Sequence, residues 1–210
     1  MPRRTVLLVA VFGTALAAPS SAEAAKKSCR APAGSKVVAQ SPTALVYATG
    51  KQFNRYVTAC TFKGRKSFRL PGQDGENVIR LFNFRLNGRY LAYSQFTAEE
   101  ASPIAYSYVF SIDLAKRRKV LEVYAGDDAK RDETTTDVKA LVVGKKGAVA
   151  WITESINLDV KLSVYTMAPG GKQMLLDNAN DIGSNSLALA GNNMTFYWTR
   201  AGQPKGSELG

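Results

Sequence analysis

The chain has 210 residues, 28 basic and 17 acidic side chains, a formal charge of +11, and no histidine. With 45% hydrophobic residues it is an ordinary globular composition, for which a single domain is the default. The missing histidine excludes Ser-His-Asp and Cys-His catalysis, histidine-ligated zinc and the HExxH helix, and two cysteines cannot build a four-thiolate metal site.

The chain opens on a basic start, Met1-Pro2-Arg3-Arg4, followed by an uncharged apolar run over residues 5–18. Pro19-Ser20-Ser21 breaks that run, and Ala22-Glu23-Ala24 fits a small-x-small cleavage site. This three-part layout predicts a signal peptide over residues 1–24 and one mature domain over 25–210, outside the cytoplasm. The run is too short to span a bilayer comfortably, and nothing later predicts a transmembrane segment. In an oxidising compartment Cys29 and Cys60 read as one disulfide. Loss of the leader removes Arg3, Arg4 and Glu23, which lowers the formal charge from +11 to +10. A field of that sign favours anionic partners.

From residue 36 onward, β-branched and aromatic residues alternate with polar ones, and no amphipathic helix is evident. In chain order the predicted strands are 36–40, 43–48, 55–62, 66–70, 78–85, 90–96, 105–114 and 119–124. They continue at 138–143, 148–154, 161–167, 172–177, 186–190 and 194–200, and residues 201–210 are too short for two more. Gly, Asn, Asp and Lys fill the breaks, as tight turns require. The strands recur as a set. A turn followed by a strand ending in an aromatic closes at Tyr93, Trp151 and Trp198, with a weaker copy at Tyr47, at spacings of 46, 58 and 47 residues. Four strands per such period is the repeat of a propeller blade. Two insertions, 97–104 and 126–136, lengthen the middle interval.

Leu86-Asn87-Gly88-Arg89-Tyr90-Leu91-Ala92-Tyr93 resembles the second-strand signature of Tol-type and WD-type β-propeller repeats. Ile112-Asp113-Leu114 with the following Ala115-Lys116-Arg117-Arg118-Lys119-Val120 is similar to their third-strand ending and hairpin. The proline-aspartate pair of those repeats is absent here, as is any Trp-Asp dipeptide. The resemblance spans about residues 37–200 and implies an all-β protein of antiparallel four-stranded blades, a small or partial propeller of three to four blades. It carries over no functional residue. Cys29 and Cys60 would then tie the N-terminal segment to the third strand of the first blade.

Candidate sites are few. Lys116, Arg117, Arg118 and Lys119 form the densest charge run, and a basic hairpin tip can grip phosphates. Asp127, Asp128, Asp132 and Glu133 could supply hard oxygen ligands, but their spacing matches no calcium loop and Lys130 and Arg131 offset their charge. Residues 177–183 read as a turn. Glu99 and Glu100, alone or with Asp132 or Glu154, could provide a carboxylate pair for glycoside hydrolysis, although adjacent residues rarely converge on one bond. Tyr93, Trp151 and Trp198 could line a carbohydrate surface, but their place in a repeated strand makes them core. No metal or cofactor is expected.

These features predict a secreted, non-catalytic, propeller-like protein that binds or scaffolds a partner, either an anionic polymer or another protein. Two alternatives stand beside it: a carboxylate-dependent extracellular hydrolase or lyase, and a weak binder of anionic wall polymers or nucleic acid. The alanine-rich leader predicts a bacterial source, and Asn193-Met194-Thr195 would be a glycosylation site only in a eukaryotic host.

Overall fold

The computed structural model describes residues 29–50, 56–64, 66–71, 78–98, 105–131, 135–156 and 160–209. The expected signal peptide and its cleavage site lie outside the described residues, as do Glu99, Glu100, Asp132 and Glu133. Every strand pairs with its sequence neighbour, so the alternating segments fold as successive antiparallel meanders. Sheet 1 holds β1 (Lys36–Gln40), β2 (Ala44–Thr49), β3 (Tyr56–Thr61) and β4 (Lys66–Arg69). Sheet 2 holds β5 (Val78–Asn87), β6 (Tyr90–Ala98), β7 (Ala105–Asp113) and β8 (Arg118–Tyr124). Sheet 3 holds β9 (Thr136–Val143), β10 (Val149–Ser155), β11 (Lys161–Met167) and β12 (Met174–Ala179). Sheet 4 holds only three strands, β13 (Ala188–Leu189), β14 (Thr195–Arg200) and β15 (Gln203–Glu208). The described residues are therefore all-β, with four antiparallel sheets of three or four strands, like propeller blades.

Residues 201–210, too short for two more strands, form one that the sequence pattern did not mark, β15. Ala201 and Gly202 have φ of 49° and 73°, the two positive values that a tight I′ hairpin needs. The strand they start, Gln203-Pro204-Lys205-Gly206-Ser207-Glu208, shows no apolar alternation because it is an exposed edge. Proline and charge are how an edge resists pairing with another chain.

The sheets pack face to face in chain order. Ala44, Val46, Ala48, Val57 and Ala59 of sheet 1 meet Leu91, Tyr93, Phe110 and Ile112 of sheet 2. Ala92, Val109 and Leu121 of sheet 2 meet Val138, Val149, Trp151 and Tyr165 of sheet 3. Ala150, Ile152, Leu162 and Val164 of sheet 3 meet Phe196 and Trp198 of sheet 4. Among the described residues no buried cluster joins sheet 4 back to sheet 1.

The repeat has a direction. Side chains alternate across a strand, so neighbours in sequence serve opposite faces. In Leu91-Ala92-Tyr93 and Val149-Ala150-Trp151, the alanine receives the next sheet while the aromatic enters the preceding one. Tyr93, Trp151 and Trp198 occupy equivalent places on β6, β10 and β14, at 0%, 0% and 6% exposure. Their polar atoms reach back to the end of the preceding sheet: Tyr93 Oη donates to Pro71 O (3.3 Å), Trp151 Nε1 to Ala125 O (2.8 Å) and Trp198 Nε1 to Asp177 Oδ2 (2.9 Å). The three rings are packing elements and do not form a carbohydrate surface.

At the start of the stack, Cys29 is bonded to Cys60 on β3, with Cα atoms 5.8 Å apart. Cys60 faces away from sheet 2, paired across the strands with Leu45. The disulfide thus fastens the N-terminal segment to the outer face of sheet 1, where Leu45 and Cys60 are buried.

Candidate functional site

A meander returns every second turn to the same end of its sheet. In sheets 1 to 3, the turns after the first and third strands therefore share one end of the stack, joined by the turn between β13 and β14. Hydrogen bonds fasten these turns to one another. Thr43 Oγ1 donates to Gly88 O (2.6 Å), and Asn87 Nδ2 donates to Val143 O (3.0 Å) and Asn193 Oδ1 (3.1 Å). Lys145 N donates to Asn193 O (3.0 Å), and Leu114 N to Arg89 O (2.9 Å). Gly147 lies so close to Tyr90 and Val120 that a Cβ there would meet both at 3.0 Å. The turn before β10 is thereby seated against sheet 2.

The same turns carry the charge. Lys63, Arg89, Lys116, Arg117, Lys145, Lys146 and Lys172 stand in them, with Arg118 at the start of β8, and none of these turns contains an aspartate or glutamate. Among the described residues no ion pair engages Lys116, Arg117, Arg118, Lys145 or Lys146, and all five are exposed. Arg89 is held by the buried Asp113 (3.1 Å) and by the Tyr90 hydroxyl (2.9 Å), which raise its pKa. Asp113 also accepts from the backbone N–H of Ala115 and Lys116, so it shapes the hairpin that presents the next cations. Two tips are strained. Arg117 (φ 52°) and Lys146 (φ 60°) hold left-handed backbone, which costs a residue with a side chain about 1 kcal/mol.

The expected run of four cations is therefore split. Lys116, Arg117 and Arg118 are free, whereas Lys119 is paired with Glu122 and lies 6.0 Å from the Phe110 ring. Arg89, Lys145 and Lys146 join the site from turns distant in sequence. A charge count taken over alternate turns would have found them.

Several carboxylates away from these turns have structural partners. Asp137 and Glu154 face each other across β9 and β10, and Lys139 Nζ bridges them at 2.8 and 2.6 Å. Burial pulls the Lys139 pKa down, but the hydrogen bonds to Asp137 and Glu154 outweigh it and leave the pKa raised. Asp127 caps a short 3-10 turn by accepting from Ala129 N. Asp177, shared between the predicted strand 172–177 and the predicted turn 177–183, lies on the strand: it is in β12, accepts from Trp198, and pairs with Arg200 at 2.8 Å. Beside that turn, the Arg131 guanidinium lies 5.2, 5.4 and 5.7 Å from the rings of Tyr106, Tyr108 and Tyr124. Among the described residues no three potential metal ligands converge, and no helix is long and apolar enough to cross a membrane.

No protein-family model matches the chain, and no curated protein matches it significantly. Solved structures similar to it include the tricorn protease, with TM-score 0.47 and 10% identity over 77% of this chain and 14% of that one. Another is the Kuenenia stuttgartiensis hydrazine synthase, with TM-score 0.44 and 13% identity over 80% of this chain and 51% of that one. The chain thus spans a minor part of the first and about half of the second.

Proposed function

We propose that this chain is an extracytoplasmic, non-catalytic binding module built as a partial β-propeller of Tol or WD type. The observation that carries the reading is the division of charge. Asp113, Asp127, Asp137, Glu154 and Asp177 are tied into ion pairs and turn formation, while one end of the stack offers unpaired cations to solvent. The disulfide fits an oxidising compartment. The competing reading, carboxylate-dependent hydrolysis, draws on the facing pair Asp137 and Glu154. The Lys139 ammonium opposes it, because it sits 2.8 and 2.6 Å from the two carboxylates and fills the gap where a scissile bond would have to lie.

Two measurements test the proposal. Protein exported by a bacterial host from the full sequence should begin near Ala25, and an intact Met1 on the exported form would refute the leader. Polysaccharide, ester and peptide substrates should remain unturned over hours. Turnover that disappears in Asp137→Asn or Glu154→Gln would replace the binding module with an enzyme.

A further inference from the structure

The binding reading above leaves its ligand open, and the basic end of the stack narrows it. We propose that this end binds linear phosphodiester polymers through their backbone charge, using Arg89, Lys116, Arg117, Arg118, Lys145 and Lys146. The inference rests on the module being a binder, and it adds the chemical class of what is bound.

Three observations carry it. The six cations form one surface although they come from three turns. Leu114 N on Arg89 O joins the β5–β6 and β7–β8 turns, and Gly147, seated against Tyr90 and Val120, brings Lys145 and Lys146 beside them. The surface also carries a large excess of positive charge. Asp113 is buried beneath it and already bonded to Arg89 and two backbone amides, and the exposed Glu208 at the end of β15 stands at its margin, so two carboxylates face six cations. Finally, Arg117 and Lys146 occupy left-handed tips that glycine would fill without strain. Long cations stand there at a cost to the fold, and backbone outliers of this kind collect where a side chain is used.

The chemistry of the ligand follows from what the surface holds and what it lacks. Guanidinium forks and ammonium groups suit phosphate oxygens. No exposed aromatic ring stands in these turns to stack on a base. Stacked sheets lie about 10 Å apart, so an extended chain with a phosphate every few ångströms presents several charges across neighbouring turns. Recognition of this kind reads the backbone and ignores base or sugar identity. The shared chemistry is the repeating phosphodiester, whether it comes from nucleic acid or from a glycerol-phosphate wall polymer.

The test is fluorescence anisotropy on the disulfide-bonded mature chain at 0.05 and 0.2 M salt. The probes are a labelled 20-mer of deoxythymidine, a labelled poly(glycerol phosphate), and poly-glutamate of matched length. Both phosphodiester probes should bind with affinities within several-fold of each other. About four phosphate contacts predict a loss of roughly 50-fold over that salt range. The triple variant Lys116→Gln, Arg117→Gln, Arg118→Gln should flatten the salt slope by two to three. Lys146→Gly should weaken binding while holding or raising Tm, a combination that damage to the fold cannot produce. Within that several-fold range, the tighter of the two probes would assign the source. Three results overturn the proposal: no phosphodiester binding at 0.05 M salt, binding unchanged in both variants, or poly-glutamate bound as tightly. None of these touches the turnover test, so the ligand class and the non-catalytic reading fail separately.

Discussion

Replacing Trp151 with alanine tests the stacking of the sheets at its centre. The side chain is fully buried, stacks on Tyr165 at 5.5 Å between centroids, and donates to Ala125 O at 2.8 Å. A buried tryptophan removes about 150–250 Å² from water, which at about 25 cal/mol per Å² is about 4–6 kcal/mol. Stranding the Ala125 carbonyl adds about 1 kcal/mol, while partial collapse of the cavity returns some of the loss. The expected cost is about 4–5 kcal/mol, or a Tm lowered by about 10–20 °C in a domain of this size. Trp151→Phe keeps a stacked ring and loses the N–H, so its cost should be about 1–2 kcal/mol. Thermal and guanidinium unfolding by circular dichroism would measure both. Trp198 is then the sole tryptophan and reports on sheet 4 by fluorescence. An alanine variant within 1 kcal/mol of the parent would refute the packing of sheet 3 on sheet 2.

Cys29→Ser should destabilise by about 3–4 kcal/mol, because the bond closes a loop across a sequence separation of 31; equal Tm values with and without reductant would show that the strap is not bonded. Burial raises the phenol pKa of Tyr93 above the ordinary range, and also those of Tyr124 and Tyr165. The folded state therefore holds protons that the unfolded chain releases near pH 10, so stability is full below about pH 10 and is lost as pH rises beyond it. Tyr93→Phe should flatten the fall in Tm between pH 9 and 11, and a slope equal to the parent's would remove Tyr93 from the account. Gly144→Ala should cost about 1–3 kcal/mol, since its Cβ would stand 2.8 Å from Asn193 O and closer still to Leu209; an unaffected urea midpoint would mean that the joint between sheets 3 and 4 is looser than described.

The parts of this structure legible in the sequence are those in which one side chain serves one local demand. Tyr93, Trp151 and Trp198 could be recognised as equivalents because each lies a few residues into a strand that follows a turn, and each is buried. The pairing of Cys29 with Cys60 followed from compartment and count, and the structure brings the two together. β15 was missed because an edge strand buries almost nothing, and so imposes no alternation on Gln203-Pro204-Lys205. The basic end was seen only as the run at Lys116, because Arg89 and Lys146 reach it through the return of the chain and not through proximity in sequence. Asp177 resembled a turn residue in composition, and only the position of Trp198 one strand beyond the turn shows it to be an interior acceptor.

The order of pairing has a kinetic meaning. Each strand meets a neighbour already made, and each sheet closes against the one before it. Among the described residues, no buried cluster asks the beginning of the chain to wait for its end. Short-range contacts of this sort favour fast folding. A polypeptide emerging N-terminus first can complete sheet 1, lock it with its disulfide, and lay down the rest one sheet at a time. At any moment only the face of the newest sheet stands open. On the last sheet, the position that is Val46, Ala92 or Ala150 in the others is Tyr197, 46% exposed, with its ring against Gly206. Where the other sheets leave room for a neighbour's aromatic, sheet 4 folds an aromatic of its own back over its last strand.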